Sequence, residues 1–337
     1  MKKILIFICL IMSLFSKQNV YADENIFARS YVVMEQNSGK LLESKDCNLQ
    51  RSVASVSKIM TAIIALESED LFKSVVVGNE IDQVVGSSLY LEKGCKINII
   101  ELVYGLLLRS GNDAAVIIAT NIGGSVDEFV RKMNEKARDI GMKNTHFSNP
   151  SGLDMFDDGN ISTSYDLALL MQYCMQNKTF REINATKHYK SSLKGSWANK
   201  HKLIQNYEYA IGGKTGYTKK AKRTLITSAR KEEMELIVVT LDCGSDFSFH
   251  KNKFEKYFNE YAYIKFLDIG KNNILNYEFY SDIAIGVLEK NSEIDNIIKV
   301  YKVNPHTKEL SMYLNYKDGR NVLVGKIVLQ ANMVQIS

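Results

Sequence analysis

The stretches of β character in this chain lie toward its two ends with a long helical region between them, and that order constrains the fold more than any single motif. Residues 31–34 read as a strand, Asn37-Ser38-Gly39 as a turn and 41–42 as the return strand of a hairpin. From 56 to 66 the apolar residues Val56, Ile59, Met60, Ile63, Ile64 and Leu66 recur at helical spacing, so Ser55 stands at or just inside a helix N-terminus. A second helical block, 97–108, breaks at Arg109-Ser110-Gly111-Asn112 and resumes over 113–122, so two apolar helices meet at a short polar loop. Residues 125–140 form an amphipathic helix ended by Gly141, and 165–175 one more. After Tyr209 the texture changes: 211–217 leads into strand-like runs at 224–229 and 235–241, joined by the charged residues 230–233. A sheet completed by both ends, with helices packed on it, fits this order best, an α+β domain. Residues 271–337 differ again, with alternation in Leu310-Ser311-Met312-Tyr313-Leu314-Asn315-Tyr316, a turn at Asp318-Gly319 and a return strand over 322–329; they predict a small all-β domain.

The N-terminus stands outside that plan. Lys2 and Lys3 precede an apolar run over 4–12 and a more polar stretch ending Val20-Tyr21-Ala22, the pattern of a secretory signal peptide over residues 1–22. The alternative, an uncleaved N-terminal anchor, has a short apolar run for a bilayer span. Either places the functional domain outside the cytoplasm. Without Lys2, Lys3 and Lys17 the chain carries 40 basic against 38 acidic residues, a balance that argues against a nucleic-acid partner. The one basic cluster, Lys219, Lys220, Lys222 and Arg223, reads as a solvated loop. Cys47, Cys95, Cys174 and Cys243 are widely spaced, which leaves four free thiols or two bridges open. The five histidines show no His-x-x-His or His-x-x-Glu pattern, so no metal ligand set is visible and no cofactor is expected.

Three short motifs carry chemistry. Ser55 stands three residues before Lys58, one helical turn away on the same face. Ser-x-x-Lys also occurs at Ser191/Lys194, Ser228/Lys231 and Ser248/Lys251, which have no companions and read as surface, and Ser55 alone could be a helix cap. Ser110-Gly111-Asn112 and Lys214-Thr215-Gly216 each occur once; singly, they are a turn composition and a strand ending at glycine. Together and in this order, the three resemble the set Ser-x-x-Lys, Ser-Asp-Asn and Lys-Thr-Gly that marks penicillin-binding proteins and class A β-lactamases.

The flanking sequence narrows the resemblance. Val53-Ala-Ser-Val-Ser-Lys-Ile-Met-Thr-Ala62, Leu107-Leu-Arg-Ser-Gly-Asn-Asp-Ala-Ala115, Thr145-His-Phe-Ser-Asn-Pro-Ser-Gly-Leu153, Ser162-Thr-Ser-Tyr-Asp-Leu-Ala168 and Gly213-Lys-Thr-Gly-Tyr-Thr218 resemble the low-molecular-mass D-alanyl-D-alanine carboxypeptidases, serine peptidases of the penicillin-binding type. The match runs from about residue 28 to about residue 262. It implies a β-lactamase/penicillin-binding-protein-like transpeptidase fold, an antiparallel sheet flanked by helices with the active site between sheet and helical region. The organisation expected is a signal peptide over 1–22, a serine D,D-peptidase catalytic domain over 23–265 and the small C-terminal all-β domain over 271–337.

The chemistry follows from the residue types. A serine hydroxyl needs a base, no His-Asp relay is evident, and Lys58 is the candidate once burial and a nearby cation such as Lys214 make it partly neutral. The helix N-terminus at Ser55 favours a developing anion. By resemblance, the N–H groups of Ser55 and Tyr217 form the oxyanion hole, Ser110 passes a proton to departing D-alanine, Asn112 bonds the substrate amide, and Lys214 with Thr215 holds the terminal carboxylate. Gly216 would let the substrate backbone lie against the strand. The activity implied is removal of the terminal D-alanine from peptidoglycan stem pentapeptides, with β-lactam antibiotics as inhibitors. The rivals are a β-lactamase and a non-catalytic wall-binding relic. Class A enzymes carry a Glu-x-x-x-Asn setting that is missing around 145–153. Three departures from the family bear on loop geometry: Val53 where proline is usual, Asn160-Ile-Ser-Thr163 in place of His-Tyr-Ser-Thr, and Ala221-Lys222 in place of Ala-Gly. The end of the chain, 328–337, reads as a strand where family members have an amphipathic helix, so no C-terminal membrane anchor is expected.

Overall fold

A computed structural model describes residues 27–154, 159–193 and 195–329, together with the backbone of 334–335. The signal-peptide reading lies outside the described residues, as does most of 330–337. The expected hairpin is β1 (Ala28–Glu35) and β2 (Leu41–Lys45). Its turn is closed by the Glu35 carboxylate, which accepts from Asn37 N (2.9 Å) and Ser38 N (2.6 Å), while Gly39 takes the left-handed φ of +70° that the turn requires. Three strands follow far downstream: β3 (Ala210–Thr218), β4 (Lys222–Lys231) and β5 (Met234–Cys243). The sheet order is β2-β1-β5-β4-β3, antiparallel throughout, with Val32 opposite Val239, Thr224 opposite Leu241 and Lys214 opposite Ile226. Both ends of the domain thus meet at the β1–β5 pair, as the order of elements requires.

The alternation of the strands divides the core in two. Val32, Met34, Ile226, Ile237, Val239 and Leu241 face the helical region. That region consists of α1 (Lys58–Leu66), α2 (Ile99–Leu108), α3 (Asn112–Gly123), α4 (Val126–Ile140), α5 (Ser164–Cys174) and α6 (Lys178–Ala185). On the other face Val33, Leu236 and Val238 pack against Leu203 of α7 (Lys202–Asn206) and Phe249, Phe254 and Phe258 of α8 (Asp246–Glu260). Sequence reading did not anticipate α8, whose aromatic stripe is diluted by lysines and asparagines. The block expected as helix over 97–108 begins only at Ile99, because Ile97 pairs with Val75 in a short strand ladder. The amphipathic helix of 125–140 is present as α4, capped by Ser125, which accepts from Glu128 N, and ended by Gly141 at φ +88°.

The C-terminal part is all β. Strands β6 (Tyr261–Leu267) and β9 (Ile285–Lys290) pair; β7 (Gly270–Ile274) and β8 (Tyr277–Ser281) form a hairpin joined by Val334–Gln335; and β10 (Ile297–Val303), β11 (Glu309–Tyr316) and β12 (Asn321–Val328) form a three-stranded sheet. Phe266, Leu267, Phe279, Leu310, Met312, Leu314 and Tyr316 make its own core. The fold is α+β with a small C-terminal all-β domain. Strand structure resumes at Tyr261, straight after α8, and its first residues Tyr261 and Tyr263 still pack on the α8 side of the main sheet.

Two sequence expectations need correction. Ser228 is fully buried within β4, and Ser191 is buried where its hydroxyl donates to the Glu101 carboxylate (2.8 Å), so neither of these Ser-x-x-Lys serines lies at the surface. Local spacing does not report which side of a strand faces the core. Arg223 of the basic cluster is also more than solvated, since its guanidinium grips Asp246 at 2.7 and 3.1 Å. Of the alternatives for the cysteines, Cys47, Cys95, Cys174 and Cys243 are free thiols. No helix among the described residues is long and apolar enough to cross a membrane.

Phe254 is fully buried between the sheet and α8, so Phe254→Ala is expected to lower unfolding free energy by about 3 to 5 kcal/mol in chemical denaturation.

Candidate active site

The first motif folds as a single 3-10 turn, Ala54–Ser57, leading directly into α1 at Lys58. Ala54 holds a left-handed φ of +51°, a conformation that costs free energy for a residue with a β-carbon. The turn is clamped from three sides. Thr224 of β4 donates to Val53 O (3.0 Å), and Ser57 Oγ donates back to Ala54 O (2.8 Å). A β-carbon on Gly152, at φ +82°, would lie 2.0 Å from Ala54 O, and one on Gly216 would lie 3.0 Å from Ser55 N and 2.3 Å from Thr224 Oγ1. Glycine at 216 is thus required by the protein's own approach of β3 to the Ser55 turn. The sequence reading had assigned that space to substrate.

Lys58 is fully buried in a helix whose other eight residues are buried too. Its Nζ lies 3.1 Å from Ser55 Oγ and 2.7 Å from Asn112 Oδ1, and it also donates to the carbonyl of Ser151. Burial holds its pKa well below that of an ordinary lysine; the charges of Lys214 and Lys200 push the same way, against a smaller opposing pull from Asp113. The Ser151 carbonyl is presented by a loop built on asparagines. Asn149 Oδ1 accepts from Ser151 N (3.1 Å) and Gly152 N (2.7 Å), Asn160 Oδ1 accepts from Ser148 N (2.8 Å) and Asn149 N (3.1 Å), and Thr61 of α1 donates to Pro150 O (2.7 Å).

The second motif sits where α2 and α3 meet. Ser110 takes φ +65° and Asn112 opens α3. Asn112 is fixed at both ends of its amide, with Oδ1 on Lys58 and Nδ2 donating to Val85 O (2.6 Å), and its backbone N donates to Ser87 O (2.7 Å). The buried Asp113 carboxylate accepts from Ser88 Oγ and from the backbone of Leu89 and Leu91, which shapes the wall against Asn112.

On the facing strand, Lys214 is only 2% exposed and donates to Ser110 Oγ (3.0 Å) and Thr215 O (2.8 Å). Burial, reinforced by the charge of Lys200, brings its pKa down to about 7. Thr215 and Tyr217 follow along β3, with Tyr217 64% exposed. No histidine joins the cluster. His201 lies beneath β3, bonded to Ile226 O and Thr227 Oγ1, and burial lowers its pKa to about 4.

Five of the residues singled out from sequence, Ser55, Lys58, Ser110, Asn112 and Lys214, are brought into two linked hydrogen-bonded groups, with Gly216 behind the nucleophile turn. Thr215 and Tyr217 line the same strand without a side-chain bond to either group among the described contacts. Sequence reasoning passed over the Ser151 carbonyl, Asp113, Gly152 and Lys200. The first three stand inside quoted motif stretches, but a backbone carbonyl and an excluded β-carbon have no residue signature, and a buried carboxylate looks like any acid near a helix start.

A serine hydroxyl beside a buried amine, set between a helical region and an edge strand, defines a class of serine hydrolase. A profile of the D-alanyl-D-alanine carboxypeptidase family matches residues 16–245. The D-alanyl-D-alanine carboxypeptidase DacF of Bacillus subtilis (strain 168) is 31% identical over 295 residues, covering 81% of this chain and 75% of the relative. Among solved structures, a D-alanyl-D-alanine carboxypeptidase from Mycobacterium tuberculosis H37Rv is 34% identical with a TM-score of 0.61, over 64% of this chain and 82% of that one. Penicillin binding protein 6B from Escherichia coli is 25% identical with a TM-score of 0.73, over 90% of this chain and 95% of that one. The chain belongs to the D-alanyl-D-alanine carboxypeptidase family of serine hydrolases.

Two predictions follow from the packing and charge of the site. Gly152→Ala must displace the Ala54 carbonyl, and β-lactam labelling of the variant is expected to slow by about tenfold or more while the fold persists. Lys214 carries a depressed pKa, so between about 7 and the unfolded value near 10.4 the unfolded chain binds a proton that the folded chain lacks, and stability rises with pH across that window. Relative to Lys214→Gln, the wild type should gain a few kcal/mol of unfolding free energy from pH 7 to pH 10 in parallel denaturant titrations.

Proposed function

We propose that this protein is an exported serine D,D-carboxypeptidase that removes the terminal D-alanine of peptidoglycan stem pentapeptides through an acyl-enzyme on Ser55. The observation that carries this reading is the bonding of the Lys58 amine. Asn112 Oδ1 and the Ser151 carbonyl can only accept, so they consume both N–H bonds of a neutral amine. Its lone pair is then left for the Ser55 hydroxyl, 3.1 Å away. A buried amine whose charged form is disfavoured and which is aimed at a hydroxyl is a general base in place.

Ser55 Oγ attacks the carbonyl of the D-Ala-D-Ala bond as Lys58 takes its proton. The N–H groups of Ser55 and Tyr217 receive the developing oxyanion. The bond to the leaving nitrogen breaks, and Ser110 Oγ, bonded to Lys214, relays to that nitrogen the proton taken from Ser55, so that D-alanine departs and Lys58 and Ser110 return to their starting states. Lys214 and Thr215 hold the substrate's terminal carboxylate, which favours the charged amine that burial alone disfavours. Water then hydrolyses the ester on Ser55. A β-lactam presents a strained amide and a carboxylate to the same groups and should acylate the same serine. Export would follow from the N-terminal signal, and no metal or organic cofactor enters any step.

A β-lactamase reading is disfavoured because the stretch 145–153, which lies against the Ser55 turn, holds no carboxylate to activate a deacylating water, and the next acid, Asp154, is taken by Ser52 and Thr218. Intact Ser55, Lys58, Ser110, Asn112 and Lys214 disfavour a non-catalytic relic. The decisive experiment incubates the protein with a pentapeptide ending in D-Ala-D-Ala and follows mass. Loss of one alanine is expected, and is abolished in Ser55→Ala. No loss from wild type under conditions where fluorescent penicillin labels Ser55 would overturn the substrate assignment, and labelling that persists in Ser55→Ala would overturn the nucleophile. A penicillin adduct should last for many minutes, and rapid turnover would favour the β-lactamase.

A further inference from the structure

One carboxylate beside the site has no part in the reaction just described, yet it joins the two strands that carry it. Asp154 Oδ2 accepts from Ser52 Oγ at 3.0 Å and from Thr218 Oγ1 at 2.6 Å. Ser52 is buried and begins the short run Ser52-Val53-Ala54-Ser55, whose Val53 carbonyl is tied to Thr224. Thr218 is the last residue of β3, next to Tyr217, and its hydroxyl also accepts from Ala221 N (2.9 Å), which closes the turn into β4. Asp154 itself follows the loop that presses Gly152 onto Ala54 and presents the Ser151 carbonyl to Lys58. The chain returns close against it, since a β-carbon on Gly159, at φ +68°, would lie 2.6 Å from Asp154 Cβ. A single charged oxygen therefore fixes three segments: the approach to the nucleophile, the end of the edge strand and the loop that orients the base.

The two backbone donors assigned to the oxyanion lie close to its two partners. Ser55 N is three residues beyond Ser52, and Tyr217 N is one residue before Thr218. Among the described residues, β3 and the Ser55 turn also meet through close packing at Gly216 and through Thr224 of the neighbouring strand. Hydrogen bonds to an ionised acceptor are shorter and stronger than neutral ones, so the Asp154 tie restrains this separation directly. Oxyanion stabilisation depends on donors held where charge develops, and a small misplacement is felt in the transition state more than in the ground state.

We infer that Asp154 is a positioning residue for the oxyanion hole: by holding Ser52 and Thr218 on one oxygen it sets the spacing of the Ser55 and Tyr217 N–H groups and governs acylation without touching substrate. The inference rests on the acyl-enzyme reading above, and the full chain's reaction with fluorescent penicillin tests both separably, since a wild type that fails to acylate sinks that reading itself. The concentration dependence of labelling gives a dissociation constant and an acylation rate constant for wild type, Asp154→Ala, Asp154→Asn, Thr218→Val and the double variant Asp154→Ala/Thr218→Val. In Asp154→Ala the acylation rate constant should fall about 10- to 100-fold, with the dissociation constant within about twofold of wild type. Asp154→Asn, whose amide oxygen can accept the same two hydroxyls, should recover most of the rate. Thr218→Val should fall in the same direction, and the loss in the double variant should be smaller than the two single losses combined, because both substitutions remove the same Asp154–Thr218 bond. An unchanged acylation rate constant in folded Asp154→Ala, a loss confined to the dissociation constant, or strictly additive effects in the double variant would each overturn the inference. Should Asp154→Ala show no cooperative unfolding transition, Thr218→Val alone decides, and a wild-type rate in that variant overturns it.

Discussion

The rest of the structure depends on the environment of one amine. Lys58 is buried at the first position of an apolar helix, and its two fixed partners, Asn112 Oδ1 and the Ser151 carbonyl, come from segments far apart in sequence. Both are pure acceptors, so they define where the amine's hydrogens go and leave its remaining valence for Ser55. Much of the helical region serves to hold these acceptors still. The Asn149–Asn160 bonds shape the loop that offers the carbonyl, and the Asp113 bonds shape the wall that locks the Asn112 amide.

The arrangement has a thermodynamic cost. Two lysines are taken out of water within one site, and burial disfavours the charged form of each. For Lys214 the pKa falls to about 7, where a substrate carboxylate can favour the protonated form; for Lys58 burial likewise disfavours the charged form, and the neutral amine is the one that can act as a base. The left-handed Ala54 and Ser110 add strain beside both serines. The domain tolerates this because the sheet is covered on both faces, by α1 to α6 on one side and by α7 and α8 on the other, and β5 is buried along nearly its whole length. Stability is gathered in the two cores and is drawn down where the helical region meets the edge strand β3, the place where chemistry needs it.

Much was legible from sequence because it depends on residue type and period. The hairpin, the helical middle and the returning strands follow from apolar spacing and turn residues, and their order along the chain forces both ends into one sheet. The amphipathic helix over 125–140 could be read with its serine cap and glycine stop. Where the reading failed, the deciding term was tertiary. Ile97 joins a strand because Val75 is there to pair with it, Ser228 is buried because β4 turns that side chain inward, and α8 forms on an aromatic stripe whose helical period is masked by polar neighbours.

The site divides in the same way. Sequence alone determined which groups could react: a hydroxyl, two amines, a second hydroxyl and an amide, in an order that points to one family. It did not determine that Lys58 has both its hydrogens spoken for, that Gly216 is small to admit the Ser55 turn, or that Asp154 ties that turn to the end of β3. A motif states side chains, and these facts concern backbone carbonyls, excluded β-carbons and distances between strands that only the closed fold fixes.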